Sequence, residues 1–486
     1  METFYVTTPI YYVNAKPHIG TAYTTIVADI IARWKRLEGK EVFFLTGTDE
    51  HGTKIERAAA AAGKTPQTFV DEISSEFMNT WKPLNISYDK FIRTTDERHI
   101  ITVNEFLDKL WDNGDIYKGT YEGWYCVPDE TFITDTDLKD GNCPSCGREV
   151  QRVKEEAYFF ALSRYKEDLL QLYSDNPYFI YPESKLKEIR GRLKDNLKDL
   201  DITRKGVKWG IPFKFDPEHT IYVWFDALLN YISALGWPND ESFNKFWPVD
   251  VHVVGKDIIW FHAVVWPAML MSAGIDMPKL ILAHGWWTVN GTKMSKSLGN
   301  VIDPIEMAKK YGADALRYFL IKEKPVWEDG DFSENALVSR INGELMSDLS
   351  NLVARTLTLA EKFDGKLKYN EGFSDNLDMT QIVSKFDSYN LSGALEDIWS
   401  FVRRTNKYIN DNEPWKLNGE KLLIVLNDAL EALRIISILI YSFMPETAEN
   451  LSQQLGLKLG KIDDCKFGEF NGKVKRGKNL FEKVKN

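Results

Sequence analysis

Two lysines in a loop bounded by glycines are the first residues of this sequence whose types and spacing suggest chemistry. The stretch NGTKMSKSLGN, residues 290–300, places Lys293 and Lys296 three positions apart among serines. Neither a buried core nor a helix is stabilised by such a stretch, whereas two flexible ammonium groups can bind an anion or stabilise charge on a departing phosphate group. Taken alone, the stretch is equally compatible with a solvated surface loop.

A second candidate for phosphate binding lies near the N-terminus, in KPHIGTAY, residues 16–23. His18 and Gly20 stand where a loop is predicted to enter a helix, and a helix N-terminus offers N–H groups and the positive end of its dipole. An imidazole can donate to phosphate oxygens, and glycine leaves room for a nucleotide against the backbone. An isolated motif of this kind is more often a capping histidine, so its interpretation depends on the lysine loop.

Both motifs follow predicted strands of one parallel sheet. Residues 4–10 and 41–47 are typical of strands, and the apolar residues between them recur at helical spacing, which predicts a βαβ unit. The same pattern returns at residues 251–255 and 279–285. Because ligands bind at the carboxyl edge of such sheets, the two motifs are expected to meet in one site.

The predicted fold class is α/β, with a Rossmann-type parallel sheet split by an insertion and followed by an all-α helical bundle. Residues 1–115 and 221–330 are expected to form the two halves of the Rossmann domain. Residues 116–220, which are rich in turns and contain three cysteines, form the insertion. Helical periodicity at 349–363, 394–409 and 421–443 assigns residues 331–486 to the bundle.

Composition excludes several classes of protein. The net charge of −10 over 486 residues argues against general electrostatic coating of nucleic acid, so such a partner needs a local basic surface. The N-terminus lacks the pattern of an export signal, and the longest apolar run, at 435–444, is too short for the roughly 20 residues of a membrane span. With only four cysteines, a reducing cytoplasmic location and no membrane partner are expected.

Taken together, these motifs resemble those of the class I aminoacyl-tRNA synthetases, in which P-H-I-G followed by K-M-S-K-S marks the ATP site. The resemblance narrows to the methionyl-tRNA synthetase family through TGTDEHG (46–52), YVWFDALLNY (222–231), GKDIIWFHAVVWPAML (255–270) and HGWWTVNGTKMSKSLGN (284–300). It continues through SDLSNLVAR and EPW and so covers essentially the whole chain. It implies a methionine–tRNA ligase that forms methionyl-adenylate from ATP and methionine and transfers the methionyl group to tRNA(Met).

The resemblance also implies roles for individual residues. The catalytic residues would be His18, Lys293 and Lys296, and ATP, with Mg²⁺ carried on its triphosphate, would also meet Gly20, Gly255, His284, Gly285, Trp287 and Val289. Asp49 would pair with the methionine ammonium group. The side chain of methionine would be enclosed by Ile10, Tyr12, Trp224, Ala227, Leu228, Tyr231, Ile258 and His262. Aromatic rings and an imidazole suit a thioether, which is selected by shape and by sulfur contacts.

In the bundle, the resemblance implies that Asn351, Arg355 and Trp415 meet the anticodon of tRNA(Met), initiator and elongator alike. Asn351 and Arg355 share one helix face, and an indole can stack on an unpaired base while polar groups bind its edge. Many relatives append a dimerising tRNA-binding module. Because this chain ends soon after the bundle, a monomer is expected.

Four residues of the insertion have the spacing of two zinc half-sites: Cys126, Asp129, Cys143 and Cys146. Family members with a complete zinc knuckle carry cysteine or histidine where Asp129 stands, and other members keep the fold without metal. Because aspartate can also bind Zn²⁺, the sequence leaves open whether zinc is bound.

Two alternative functions remain. One is a class I synthetase for isoleucine, valine, leucine or cysteine, although the first three usually carry a longer editing insertion. The other is a non-catalytic tRNA-binding protein, which the presence of His18, Lys293 and Lys296 argues against.

Overall fold

The structure, a computed structural model, describes residues 2–14, 16–127, 131–133, 138–144, 147–195, 197–294, 299–361 and 371–485. Three predicted site residues, Lys296, Asp129 and Cys146, lie outside the described residues.

The first half of the Rossmann domain alternates strands and helices, as its sequence pattern predicts. Its α1 helix begins at Ile19, between His18 and Gly20, where a loop is predicted to enter a helix, and apolar residues recur along it at helical spacing. The elements are β1 (Thr3–Thr7), β2 (Tyr11–Tyr12), α1 (Ile19–Leu37), β3 (Glu41–Asp49), α2 (Thr53–Ala61), α3 (Pro66–Trp81), β4 (Lys90–Arg93) and α4 (Glu97–Asp112).

The predicted insertion is built mainly on antiparallel pairing of β5 with β7. Its elements are β5 (Ile116–Cys126), β6 (Thr131–Ile133), β7 (Gln151–Phe160), α5 (Lys166–Asp175), β8 (Ile180–Tyr181), α6 (Glu183–Lys194), β9 (Leu200–Asp201), β10 (Thr203–Lys205) and β11 (His219–Ile221). Within this range, β8 is hydrogen-bonded to a strand of the central sheet and not to its sequence neighbours.

The second half returns to the strand and helix alternation of the first. It comprises α7 (Val223–Leu228), α8 (Asn230–Ser233), α9 (Glu241–Phe246), β12 (Val251–Gly255), α10 (Trp266–Ala273), β13 (Ile281–His284), β14 (Trp287–Val289), β15 (Thr292–Lys293), α11 (Pro304–Tyr311), α12 (Ala313–Lys322) and β16 (Gly330–Asp331). The strands β15, β14 and β16 form a small sheet of their own, and β15 ends at Lys293 of the lysine loop.

The central sheet is parallel throughout. Its order is β3-β1-β12-β13-β8, and β2 and β4 also pair with β3. Side chains alternate between two cores, with Phe4 and Val6 on the face of α1 and Tyr5 on the opposite face. The predicted Rossmann-type sheet, made from two halves distant in sequence, is confirmed.

The predicted helical bundle is also confirmed. It comprises α13 (Glu334–Arg340), a π-helical segment (Ile341–Ser350), α14 (Asn351–Ala360), α15 (Met379–Asp387), α16 (Leu391–Asn412), α17 (Gly419–Ile440) and α18 (Pro445–Gln454). The bundle packs on α1, where Trp34 stacks on Phe386 at 3.6 Å between ring centres. The buried Arg317 donates to Asp29 of α1 and to the carbonyls of Ser442 and Phe443. In the part of the chain that the structure describes, no helix could cross a membrane.

Candidate active site

The carboxyl ends of four parallel strands open into one cleft with two lobes. The strands β1, β3, β12 and β13 end at this edge, which is where parallel sheets bind ligands. The larger lobe has a volume of about 520 Å³ and the smaller about 330 Å³. They share Pro9, Tyr11, Asp257, Ile258 and Lys293, so a ligand can extend from one into the other.

The smaller lobe brings together seven of the residues predicted to meet ATP. These are His18, Gly20, Gly255, His284, Gly285, Trp287 and Lys293. Val289 lies further along β14 and is not among the described residues that line this lobe. Sequence reasoning missed Asp257, although its position two residues beyond the end of β12 could have indicated it.

His18 caps α1, and this fixes which ring nitrogen can donate. The His18 Nδ1 accepts a hydrogen bond from the backbone N–H of Gly20 at 3.0 Å, and the backbone N–H of His18 donates to Thr21 Oγ1 at 2.9 Å. Burial and the nearby Lys293 ammonium lower the pKa of His18. The neutral ring therefore carries its proton on Nε2, which is available to donate to a phosphate oxygen at the helix N-terminus.

Two glycines of this lobe are required by close packing. A Cβ at Gly285 would lie 2.0 Å from the carbonyl oxygen of Glu328, and a Cβ at Gly20 would lie 2.8 Å from His18 Cε1. A side chain at either position would therefore displace the backbone or the histidine that form the wall of the lobe.

His284 is a wall of the smaller lobe, and both its nitrogens are used. Its Nδ1 donates to the carbonyl of Gly285 at 2.9 Å, so Nε2 accepts the hydroxyl of Thr24 at 2.8 Å. Burial lowers the pKa of His284 to about 4. The ring thus joins β13 to α1 as a neutral group, and its contribution to a nucleotide site is shape.

Lys293 lies at the junction of the two lobes. Its Nζ is 3.3 Å from Asp257 Oδ2 and 4.2 Å from the centre of the Trp286 ring. Burial raises the pKa of Asp257, but Lys293 and the indole N–H of Trp286 outweigh that effect and hold it below its ordinary value. Lys256 Nζ lies 4.3 Å from the same indole, but it is paired with Asp329 at 2.6 Å and is not among the described residues that line the lobe.

The larger lobe brings together all nine residues predicted to enclose methionine. They come from the segment after β1, from β2, the end of β3, α7 and α8, the turn after β12, and the π-helical segment Phe261–Val265: Ile10, Tyr12, Asp49, Trp224, Ala227, Leu228, Tyr231, Ile258 and His262. Lys54, Val223 and Asn230 also line it and were missed by sequence reasoning. Lys54 lies in the first turn of α2, next to the TGTDEHG motif, which was the available signal.

The inner end of this lobe is neutral, and His262 and Tyr231 satisfy one another there. Nδ1 of His262 donates to the carbonyl of Ile258 at 3.1 Å, so its Nε2 accepts the hydroxyl of Tyr231 at 2.7 Å. Burial lowers the pKa of His262 to about 4. A polar side chain entering here would find the tyrosine proton already used, whereas a thioether can contact the ring and the imidazole without loss.

These buried histidines predict that stability rises with pH over a defined window. The pKa of His262 is about 4 in the folded chain, against roughly 6.5 when unfolded, so the unfolded state binds more protons between these values. The stabilisation is complete above roughly pH 6.5 and is lost as the pH falls toward 4. We expect the gap in apparent Tm between the wild type and His262→Gln to shrink from about pH 7.5 to about pH 5. A constant gap would contradict the neutral assignment.

Of the three residues predicted to meet the anticodon, Arg355 and Trp415 are in contact, and Asn351 lies one turn before Arg355 on the same helix. Asn351 and Arg355 are on α14, and the Arg355 guanidinium lies 5.3 Å from the ring centre of Trp415. Arg355 also donates to Asn410 at 2.8 Å. Trp415 is 49 % exposed, which is unusual for a tryptophan.

The insertion places two of the four predicted zinc ligands in one buried cluster. Cys126 and Cys143 pack with Ile133 and Val150. Among the described residues, no group of three or more His, Cys, Asp or Glu side chains is arranged for a metal ion. Both described residues are thiols, the ligand type that structural Zn²⁺ prefers, so the chemistry of these two residues fits zinc.

Comparisons with known proteins give one consistent result. The family described as "tRNA synthetases class I (M)" matches residues 4–155 and 150–357. The chain is similar to the methionine–tRNA ligase of Thermotoga maritima, with 51% identity over 474 residues that cover 94% of this chain and 75% of that protein. The corresponding protein of Caldanaerobacter subterraneus is 49% identical over 504 residues, which cover 99% and 79%.

Solved structures of a relative superpose over nearly the whole chain. Mycobacterium tuberculosis methionyl-tRNA synthetase in complex with methionyl-adenylate matches with a TM-score of 0.94 and 39% identity, covering 99% of this chain and 100% of that one. The apo form of that enzyme matches with a TM-score of 0.88 and 35% identity, covering 100% and 99%.

Proposed function

This chain belongs to the methionyl-tRNA synthetases of class I and is a methionine–tRNA ligase, and from that premise we propose which of its residues perform each step. The observation that carries the proposal is the two-lobed cleft, in which an aromatic lobe with a neutral inner end and the Asp49 carboxylate opens into a lobe with the N-terminus of α1 and the Lys293 ammonium group. The first lobe suits methionine and the second suits ATP.

We propose that adenylate formation depends on positioning and charge stabilisation by this cleft. The enzyme binds ATP and methionine, and the methionine carboxylate attacks the α-phosphorus while pyrophosphate leaves. His18 Nε2 would donate to the triphosphate, and Lys293 and Lys296 would stabilise the negative charge that develops on the leaving pyrophosphate. Mg²⁺ would enter with the triphosphate and not through a dedicated protein site.

The amino acid would be held by its charge at one end and by its shape at the other. Asp49, at the end of β3, would accept the ammonium group, which leaves the carboxylate near the shared residues of the two lobes. The thioether would lie against Tyr231 and His262, whose mutual hydrogen bond leaves no proton for a polar competitor.

The second step transfers the methionyl group from the adenylate to a ribose hydroxyl at the 3′ end of tRNA(Met), and AMP leaves. We propose that Asn351, Arg355 and Trp415 bind the anticodon. Initiator and elongator tRNA(Met) share that anticodon, so both would be substrates.

Replacing Trp415 by alanine is expected to raise KM for tRNA(Met) about tenfold, because a base loses its stacking partner. Methionine-dependent pyrophosphate exchange, which needs no tRNA, should stay unchanged. Trp415→Phe keeps an aromatic face and should recover most of the affinity. If Trp415→Ala charges tRNA normally at subsaturating concentrations, the anticodon assignment is withdrawn.

Pyrophosphate exchange into ATP tests the proposed roles of the two lobes together. Exchange should depend on methionine and should not be supported by isoleucine, valine, leucine or cysteine. Exchange driven by one of those amino acids would assign the larger lobe to another class I specificity. A chain that bound tRNA(Met) without any exchange would be the non-catalytic alternative.

Three further properties are proposed. We propose that the protein acts as a monomer in the cytoplasm with its tRNA. We propose that Cys126, Asp129, Cys143 and Cys146 bind one structural Zn²⁺, supported by the shared burial of Cys126 and Cys143. The domain limits at residues 115, 220 and 330 also stay predictions.

A further inference from the structure

A buried carboxylate joins two histidines behind the larger lobe. Asp226 is 1 % exposed, and its Oδ2 and Oδ1 accept hydrogen bonds from His51 Nδ1 and His99 Nε2, each at 2.7 Å. Burial raises the pKa of Asp226, but the two histidines outweigh that effect and hold it below its ordinary value. These three groups lie behind the residues that line the cleft, and the proposed chemistry does not use them.

The carboxylate connects the elements that form the walls of the lobe. Asp226 lies in α7 between Trp224 and Ala227, and His51 follows Asp49 by two residues. The α7 helix spans six residues, and no described side chain caps its start. The orientation of α7 therefore depends on contacts such as this bridge. The bridge ties α7, which forms one wall of the lobe, to the segment at the end of β3 that carries Asp49 and forms another wall.

The helix α4 anchors the bridge from outside the cleft. His99 lies in this helix, and its Nδ1 is 2.8 Å from the hydroxyl of Ser233. Ser233 belongs to α8, which also carries Tyr231. One buried histidine thus contacts both short helices that supply the side-chain end of the lobe.

Apolar residues could fill this space equally well, but they could not fix the relative orientation of the elements that carry Asp226, His51 and His99. Removing a charge from water costs several kcal/mol, and replacing a buried ion pair by packed apolar groups is often neutral or stabilising. Hydrogen bonds, in contrast, act over a narrow range of distance and angle, so they fix the separation of the groups that make them. The bridge is therefore better suited to precision of placement than to stability.

We propose that Asp226 is a positioning residue which, held by His51 and His99, sets the separation of the Asp49 and α7 walls and so the selection of methionine by length. The proposal rests on the proposed function of the larger lobe as the methionine site. Ethionine, which is one methylene longer, is the competitor whose rejection would depend most on this separation.

A crossed set of amide variants tests the proposal. Asparagine places an amide N–H near the position of ring Nδ1, and glutamine places one near that of Nε2. The matched variants, His51→Asn and His99→Gln, therefore keep an N–H donor directed at Asp226. The misplaced variants, His51→Gln and His99→Asn, carry the same amide group at a position from which it cannot donate to Asp226. Each full-length variant is compared with the wild type in pyrophosphate exchange, with its apparent Tm recorded.

We expect the two misplaced variants to raise KM for methionine about tenfold and to reduce the preference for methionine over ethionine by a similar factor. KM for ATP should not change, and the two matched variants should stay within about twofold of the wild type. The bridge would have only a structural role if matched and misplaced variants preferred methionine over ethionine equally, or if KM for methionine and KM for ATP rose together. Absence of methionine-dependent exchange in the wild type would instead reject the proposed function.

Discussion

Replacing His18 by asparagine is expected to lower the rate of methionine-dependent pyrophosphate exchange about 10²- to 10³-fold, because the donor to the triphosphate is lost. The asparagine oxygen can stand near the position of Nδ1 and still accept the Gly20 N–H that caps α1. KM for methionine should change little, since His18 lines the smaller lobe and not the larger. The measurement is steady-state exchange at saturating methionine.

His18→Ala is the control for that result. It removes both the donor and the cap, so it should lose activity to a similar extent and also lose about 1 kcal/mol of stability. If His18→Asn keeps activity within a few-fold of the wild type while His18→Ala does not, the histidine acts only as a cap and its phosphate role is wrong.

Replacing Asp49 by asparagine is expected to reduce kcat/KM for methionine about 10²-fold, because a substrate ammonium group would lose its buried counter-charge. The side chain is 9 % exposed at the end of β3, and its backbone pairs with Tyr12 of β2, so the isosteric amide should leave the strand in place. KM for ATP should stay unchanged, since Asp49 lines the larger lobe.

A pair of competitive inhibitors separates charge from shape in this prediction. Methioninol keeps the ammonium group, and 4-methylthiobutyrate lacks it. Asp49→Asn should weaken inhibition by methioninol strongly and leave inhibition by 4-methylthiobutyrate almost unchanged. Equal weakening of both would mean that Asp49 shapes the lobe and does not pair with the ammonium group.

Much of the fold was accessible from local patterns. The strand predicted at 251–255 coincides with β12, and the helix predicted to start near His18 and Gly20 begins at Ile19. Such patterns succeed because the alternation of buried side chains along a strand and their spacing along a helix depend only on neighbouring residues. The pairing of β8 with the central sheet was not accessible, because two residues carry no recognisable period.

The members of the candidate site were also largely determined by the sequence. The His18 motif and the lysine loop could be placed at one edge of a parallel sheet, and the resemblance supplied nine residues that the structure gathers into one lobe. Residue type and position at a strand end are enough for this, since every parallel strand delivers its carboxyl end to the same edge.

Only the tertiary structure decided what each of these groups can do there. It shows that His18 has Nδ1 occupied and Nε2 available, that both nitrogens of His284 are used, and that Asp226 bridges two histidines. These partners come from segments far apart in the chain, and hydrogen bonds form only within a few tenths of an ångström of their preferred length. Burial, which lowers the pKa of His18 and His284, likewise depends on the packing of the whole fold.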